Sequence, residues 1–452
     1  MQRKPHLFTV LVLAGAALGL FFAGFSTYDF ARHLDRQVHA VNCSFIPGLA
    51  ATDARSDCHV TMMSHYSSVM RDVVWGGIPI SLPAMSVFAF LLLFTIELCI
   101  TRRQEDHRAT AFLALAALLP AAASIIMAII AFSKLDAACK LCIGIYFSSA
   151  LTLLGALCMW RRAEQARRAD ELGRLSQDGD PREPLAERSN PFAATAAVPP
   201  DDDRRLRAQV HARGAAPVGM GYLAAAFGLG VLLVAVPAAA YVALAPDHSV
   251  FIGACGDLVE DKDAYNVMVP FDRHQGGVPT VEVLDPLCPS CRAFERRLEA
   301  SGLRDQLDRS AILFPLDKEC NWMVDDRKHP GACAVSEAVL CAGEHAGEVV
   351  EWAFGAQDEI RASAEKSDDG ARALARDRFP DLARCIGSAG AKSKLNKSLR
   401  WAVRNQLPVL TPQLYVAGVK LCDEDIDLGM EFALSRMIER ARAGTLKKRG
   451  AK

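Results

Sequence analysis

Five apolar runs constrain this chain more than any other feature, because each is long enough to cross a lipid bilayer as a helix. A spanning helix needs about 20 predominantly apolar residues. The runs are Leu7–Phe25, Ile78–Ile100, Ala109–Phe132, Leu141–Trp160 and Val218–Ala245. No clear cleavage site follows the first run, which favours a membrane anchor over a cleaved signal peptide. The sequence therefore predicts five transmembrane helices.

Basic residues predict the orientation of these helices. They lie before the first run, between the second and third runs, and after the fourth run, at Arg3, Lys4, Arg102, Arg103, Arg108, Arg161, Arg162, Arg167 and Arg168. Positive charge favours the cytoplasmic side, and these three places share one side if every run spans. The other side then holds the loop over residues 28–77 and everything after Ala245.

The stretch over residues 163–214 is rich in Arg, Asp, Glu, Ala and Pro and lacks apolar periodicity. This composition predicts a disordered cytoplasmic linker. The predicted domains are a four-helix transmembrane domain (1–160), the linker (161–217), a fifth transmembrane helix (218–245) and a C-terminal domain (246–452). A net charge of -1 and the lack of a basic stripe with interleaved aromatics argue against a nucleic-acid partner.

Fourteen cysteines in a chain of 452 residues are typical of an oxidising compartment. Cys99 and Cys158 lie at predicted cytoplasmic helix ends, where a small apolar filler is the simplest interpretation. All other cysteines fall on the opposite side. The C-terminal domain has a single CxxC motif, so a four-cysteine zinc site is not expected and we predict no metal.

That motif is CPSC, at Cys288 and Cys291. A β-branched stretch, PTVEVL, predicts a buried strand before it, and RAFERRLEASG predicts a helix after it. We therefore expect Cys288 to be exposed on a strand-to-helix turn, where the free amides and dipole of the helix lower the pKa of its thiol. Such a thiolate is a good leaving group, which suits a domain that donates its disulfide. A structural disulfide or half a zinc site is the alternative.

Downstream, Thr411 and Pro412 precede a second strand-like stretch, QLYVAGV. In thioredoxin-like folds a cis-proline at this point lies against the CxxC turn, and we expect both residues to contact substrate. The segment CAVSEAVLCAGEHAGEVVEWAF predicts a helical insertion between the two motifs. Over about Gly276–Met437 the domain resembles the DsbA-like branch of thioredoxin-like proteins.

A second CxxC, in ACKLC, opens the fourth apolar run with Cys139 and Cys142. These thiols can face the membrane interior, where a quinone is the natural two-electron acceptor. Tyr146 lies one helical turn beyond Cys142 on the same face. Its phenol can hydrogen-bond a quinone oxygen or serve as an interfacial anchor, and periodicity does not separate the two roles.

Eight further cysteines lie outside these two motifs on the predicted non-cytoplasmic side. Cys43 and Cys58, in the loop after the first helix, either carry electrons between the two CxxC pairs or staple the loop. The other six are most simply structural disulfides, and the candidate pairs among them are Cys320 with Cys333 and Cys341 with Cys385.

Together these residues resemble the vitamin K epoxide reductase family. In particular, the chain looks like the bacterial fusions in which a four-helix catalytic bundle is joined through a fifth helix to a thioredoxin-like domain. The resemblance rests on the second CxxC, the tyrosine after it, the loop cysteines and WGGIPISLPAM at the second helix. It implies that Cys139 and Cys142 react with quinone, that Cys43 and Cys58 shuttle electrons, and that Tyr146 lines the quinone pocket.

The expected fold is thus an all-α membrane bundle joined to an α/β thioredoxin-like domain with a helical insertion. The expected function is a quinone-dependent thiol oxidase that makes disulfides in secreted proteins, using ubiquinone or menaquinone. It is expected in a bacterial inner membrane, with the thioredoxin-like domain in the periplasm. The alternatives are a membrane-anchored thiol-disulfide reductase or isomerase, and a structural protein whose cysteines are only staples.

Overall fold

The computed structural model describes residues 7–37, 39–42, 50–51, 57–135, 137, 139–178, 218–367 and 369–448. Contacts divide the chain into two compact units. The helical unit comprises residues 1–29, 40–61 and 80–241, and the sheet unit comprises residues 30–39, 62–79 and 242–452.

The helical unit is built mainly of long apolar helices. The first six helices of the described chain are α1 (Leu7–Arg32), α2 (Asp57–Met62), α3 (Ser81–Ile100), α4 (His107–Ile130), α5 (Lys140–Asp178) and α6 (Met220–Leu244). All except α2 belong to the five described helices that are long and apolar enough to cross a membrane. Two short strands, β1 (Val41–Asn42) and β2 (Ala50–Ala51), form an antiparallel pair between α1 and α2. The predicted all-α membrane part is therefore confirmed.

Glycines on α1 let this helix approach its neighbours closely. A Cβ atom on Gly15 would lie 2.5 Å from Oγ1 of Thr152 on α5, and one on Gly19 would lie 2.4 Å from the ring of Phe88 on α3. In lipid, where burial of apolar surface between helices brings little gain, such close contacts are a main source of helix association. Helix α1 therefore packs between α3 and α5 through its small residues.

Two predicted boundaries are wrong: the start of the second transmembrane helix and the start of the linker. The second helix begins at Ser81, because Ile78–Pro79 forms strand β4 and pairs with β3 (Ser68–Val69). Helix α5 continues to Asp178, so the first part of the predicted linker is helical. Charged pairs one turn apart favour this extension, since Glu164 lies 2.7 Å from Arg168. The remaining linker, residues 179–217, lies outside the described residues.

In the described part of the sheet unit, five strands form one mixed sheet. They are β5 (Val269–Asp272), β6 (Val278–Leu284), β7 (Leu307–Leu313), β8 (Gln413–Val416) and β9 (Val419–Lys420), in the order β5-β7-β6-β8-β9. Strands β6 and β7 are parallel, and the other pairs are antiparallel. A parallel pair needs a crossover, which the helix that follows the CPSC turn supplies.

Seven helices complete the described part of this unit. They are α7 (Pro289–Ser301), α8 (Ala332–Ala342), α9 (Ala346–Gly355), α10 (Gln357–Lys366), α11 (Gly370–Arg378), α12 (Ala389–Arg404) and α13 (Met430–Arg442). Helices α8 to α12 lie between β7 and β8 in the chain and form the predicted helical insertion. With its strand, CxxC turn and crossover helix, the unit has the predicted thioredoxin-like fold.

Three disulfides tie the sheet unit together: Cys320–Cys333, Cys341–Cys385 and Cys255–Cys422. The first two are the pairs that the sequence suggested, and both are confirmed. The third joins cysteines 167 residues apart and links the segment after α6 to the end of the sheet.

A buried ion cluster holds the first strands of the sheet. The Arg309 side chain is fully buried and contacts the carboxylates of Asp272, Glu282 and Glu295, at 2.7 Å in the case of Glu282. Arg304, which is 37% exposed, pairs with the same Asp272 at 2.7 Å. Removing one partner of a buried cluster leaves unpaired buried charge, which is far more costly than loss of a surface pair.

We expect Arg309→Met to destabilise the sheet unit by about 3 to 5 kcal/mol. The matched variant Arg304→Met should cost below about 1 kcal/mol. Urea denaturation of the full chain in detergent, followed by tryptophan fluorescence, measures both. Equal losses for the two variants would contradict a special role for the buried guanidinium.

Candidate active site

Both CxxC pairs have the same local geometry. Cys139 and Cys288 each lie just before a helix, and their carbonyl oxygens accept hydrogen bonds from the amides of Ile143 at 3.0 Å and Arg292 at 3.2 Å. All four CxxC cysteines are free thiols, whereas Cys58 and the six cysteines of the sheet unit outside the motif are disulfide-bonded. The structure therefore presents two dithiols, each at the N-terminus of a helix.

Hydrogen bonding inside the CPSC turn separates the acidities of its two thiols. The Cys291 thiol donates to the Cys288 sulfur, and this bond holds the pKa of Cys288 at about 6 against the opposing effect of burial. Burial raises the pKa of Cys291 well above its usual value. The sequence predicted a lowered pKa for Cys288 but attributed it to the helix terminus, whereas the thiol hydrogen bond is the largest cause.

The prediction that Cys288 is exposed is wrong, because only 5% of the residue is accessible. The helical insertion covers the turn. Gln357 donates to the Cys288 carbonyl oxygen at 3.1 Å, and Arg361 donates to that of Leu287 at 3.1 Å. Both contacts come from α10, which a sequence pattern around the motif does not reveal.

Asp285 contacts the backbone of this turn, and His329 contacts Asp285. Neither residue was identified from the sequence. The Asp285 carboxylate is fully buried, accepts the Leu287 amide at 2.7 Å and lies 2.6 Å from Nδ1 of His329. Burial lowers the pKa of His329, but the hydrogen bond to Asp285, the Asp285 charge and the Cys288 thiolate together raise it above its usual value. A protonated His329 in turn favours the Cys288 thiolate, since charge coupling acts on both partners.

The Thr411–Pro412 peptide bond is cis, as the sequence predicted for this fold. The Cys288 thiol lies 3.6 Å from the Thr411 carbonyl oxygen, to which it can donate. Pro412 directly precedes β8, which pairs with β6 in the middle of the sheet. Thr411 thus lies beside the Cys288 thiol and Pro412 follows it in the chain, while the predicted contact of both residues with substrate remains a prediction.

In the helical unit, Cys139, Cys142 and Tyr146 follow one another around the first turns of α5. Cys139 is buried, and Cys142 and Tyr146 are half-buried. The Cys142 thiol hydrogen-bonds the Cys139 sulfur. The buried carboxyl of Asp29, near the end of α1, lies within electrostatic range of Cys139 and was not singled out from the sequence.

Of the loop pair Cys43 and Cys58, the structure describes only Cys58. Cys58 is buried in α2 and is disulfide-bonded, while Cys43 lies outside the described residues. The predicted shuttle role of this pair stays a prediction. Cys99 and Cys158 are free thiols on α3 and α5.

Residues 10–157 match the sequence model of the vitamin K epoxide reductase family. The fold and the site define the class of protein: a membrane protein with one thiol pair in its helical part and a second in a thioredoxin-like domain. The matched part of the chain, which carries the helical thiol pair, is thus similar to the vitamin K epoxide reductase family, as its sequence motifs indicated. The match and the five described apolar helices support a multi-pass membrane protein with thiol redox chemistry.

Other comparisons add little to this assignment. No curated protein matches the chain. Among solved structures, a linker-deletion mutant of ScsC from Proteus mirabilis aligns with 15% sequence identity and a TM-score of 0.26, covering 55% of this chain and 100% of that chain. A TM-score this low is below that of chains sharing a fold, so the alignment does not bear on the assignment.

We expect Cys291→Ala to raise the pKa of Cys288 from about 6 toward that of an ordinary thiol, because the donor is lost. Cys291→Ser keeps a hydroxyl donor and should raise this pKa less. The measurement is the pH dependence of Cys288 alkylation by iodoacetamide, read by peptide mass spectrometry. The same pKa in both variants and in the wild type would mean that the helix terminus, not the thiol, sets the acidity.

Proposed function

We propose that this protein is a quinone-dependent thiol oxidase that forms disulfides in secreted proteins. Electrons pass from a reduced substrate protein to the Cys288–Cys291 disulfide, then through Cys43 and Cys58 to the CxxC pair of α5, and finally to ubiquinone or menaquinone. The observation that carries the proposal is the presence of two free CxxC pairs, one on a membrane helix and one in the thioredoxin-like domain.

The acidity of Cys288 supports the oxidising direction. A substrate thiolate attacks the Cys288 sulfur of the disulfide, and Cys291 leaves and takes up a proton. The second substrate thiol then displaces Cys288, which leaves as a thiolate. Since a thiol with a pKa of about 6 is largely ionised at neutral pH, it is a good leaving group, and its reduced form is favoured. Such a pair gives its disulfide away readily.

The α5 pair is the proposed end of the relay. Its disulfide takes two electrons from the loop pair, and the resulting dithiol gives two electrons and two protons to a quinone, which leaves as quinol. We assign Cys139 as the thiol attacked by the loop and Cys142 as the one that engages the quinone. The phenol of half-buried Tyr146, four residues further along α5, can donate a hydrogen bond to a quinone oxygen. We further propose that the thioredoxin-like domain lies in the periplasm of a bacterial inner membrane.

The rival proposal is a membrane-anchored reductase or isomerase that uses the same pairs in reverse. It requires an electron source on the cytoplasmic side. Of the free thiols that the structure describes, Cys99 and Cys158 are the ones at predicted cytoplasmic helix ends, and they lie on different helices. A low pKa at Cys288 also disfavours this direction, because it stabilises the reduced CPSC pair.

We expect purified full-length protein in detergent to form quinol anaerobically when supplied with a reduced, unfolded dithiol protein and a quinone. Cys142→Ala should abolish quinol formation, because the acceptor-side dithiol is lost. The matched control Cys158→Ala, on the same helix, should keep the wild-type rate. Quinone loss is read by ultraviolet absorbance.

Two outcomes would overturn the proposal. Thiol exchange at Cys288 without quinol formation would show an ordinary exchanger in the soluble part. Net reduction of substrate disulfides with electrons from a donor other than quinol would favour the reductase.

A further inference from the structure

Two short segments of the loop regions belong to the sheet unit rather than to the helical unit. They are residues 30–39 and 62–79, which we call the docking platform. Residues 40–61 lie between them in the chain, and this stretch includes Cys43 and Cys58. Both ends of the cysteine-bearing loop are thus continuous with segments that pack on the thioredoxin-like domain.

A buried carboxylate joins the two halves of the platform to that domain. Both oxygens of Asp425 accept from the Arg36 guanidinium, at 3.1 and 3.0 Å, and Oδ1 also accepts from Nε1 of Trp75 at 2.7 Å. Asp425 is 2% exposed and Trp75 is 4% exposed. The Arg36 guanidinium also lies 4.0 Å from the centre of the Phe251 ring. We call Asp425, Arg36 and Trp75 the Asp425 network.

Apolar and polar contacts around the network extend the same interface. Phe30, Met63 and Trp75 of the platform belong to one buried cluster with Leu428 and Met430. Phe30 lies on α1, Met63 lies before β3 and Trp75 lies between β3 and β4, so the cluster spans both platform segments. Burial of aromatic side chains of this size dominates interface energies.

A second acid on α13 contacts the platform as well. Glu431 lies 2.8 Å from Nδ1 of His65 and 3.8 Å from the Arg71 guanidinium. Arg71 is buried, and it donates to the Ser67 hydroxyl at 2.7 Å. The interface therefore combines a hydrophobic centre with charge-assisted hydrogen bonds, which are among the stronger kinds of polar contact.

Gly429 allows this arrangement. A Cβ atom on Gly429 would lie 2.2 Å from Nε1 of Trp75 and 2.9 Å from Oδ1 of Asp425. The backbone of Gly429 has φ -81°, which any residue adopts. A single methyl group at this position would therefore displace Trp75 without straining the chain.

We propose that the Asp425 network holds both ends of the Cys43/Cys58 loop on the thioredoxin-like domain. Electron transfer from the CPSC pair to the loop depends on this docking. Arg36, Trp75 and Asp425 are positioning residues, because they act through the loop and touch no reacting atom. This inference rests on the proposed relay, and it adds the contacts that hold both ends of the loop on the thioredoxin-like domain. Fixing one partner beside another raises its effective concentration without any new chemistry.

The test compares Gly429→Ala and Asp425→Asn with the wild type in the full-length protein. Gly355→Ala is the matched control, because its Cβ atom would meet open space at the exposed end of α9. Hydrogen exchange of the platform amides measures docking directly and needs no quinone. Thiol exchange at Cys288 and reduction of the Cys139–Cys142 disulfide are measured separately by alkylation and mass spectrometry.

We expect platform amides to exchange about tenfold faster or more in both variants. Electron transfer from Cys288–Cys291 to Cys139–Cys142 should slow by about tenfold or more, while thiol exchange at Cys288 stays at the wild-type rate. Gly355→Ala should change neither quantity.

Unchanged exchange in both variants would overturn docking by this network. Faster exchange with unaltered electron transfer would overturn its positioning role. If the wild type forms no quinol, the proposed oxidase fails instead, and hydrogen exchange still decides whether the network docks the domain. If Gly429→Ala does not fold, Asp425→Asn decides, because it keeps the shape of the side chain.

Discussion

A chain that crosses a bilayer must satisfy its backbone hydrogen bonds within helices, so the amides left without a partner lie at the helix ends. Cys139 and Cys142 lie at the start of α5, where the first amides of the helix have no partner within it. Cys288 and Cys291 occupy the same position at the start of α7. The same helix-start geometry thus serves both the membrane unit and the thioredoxin-like domain.

Burial and hydrogen bonding then set the acidities of the two thiols in the CPSC pair. The Cys291 thiol is fully buried and serves as the donor that stabilises the Cys288 thiolate. Behind the turn, the buried Asp285 carboxylate holds His329 by a hydrogen bond of 2.6 Å. Helix α10 covers the turn from the side of the insertion, so only a small part of Cys288 is accessible. These features fit the proposed relay, in which the pair gives its disulfide away and is shielded from unspecific reaction.

Local patterns predicted much of this arrangement. Apolar run length gave the five long helices, and the strand, CPSC and helix pattern gave the thioredoxin-like unit. Spacing suggested the disulfides Cys320–Cys333 and Cys341–Cys385, which span 13 and 44 residues. What remained hidden depends on contacts between residues distant in the sequence, such as Trp75 with Asp425, 350 residues apart. Burial of Cys288 under Gln357 was missed for the same reason, because periodicity reports the face of an element and not what covers it.

The order in which the thiol pairs become reduced tests the central claim most directly. Oxidised full-length protein is mixed anaerobically with a reduced dithiol protein, quenched at successive times by alkylation, and analysed by mass spectrometry. The relay predicts that thiols appear first at Cys288 and Cys291, then at Cys139 and Cys142, and that added quinone reoxidises all four. Reduction of the CPSC pair that never reaches α5, or an α5 pair that quinone does not reoxidise, would contradict the account.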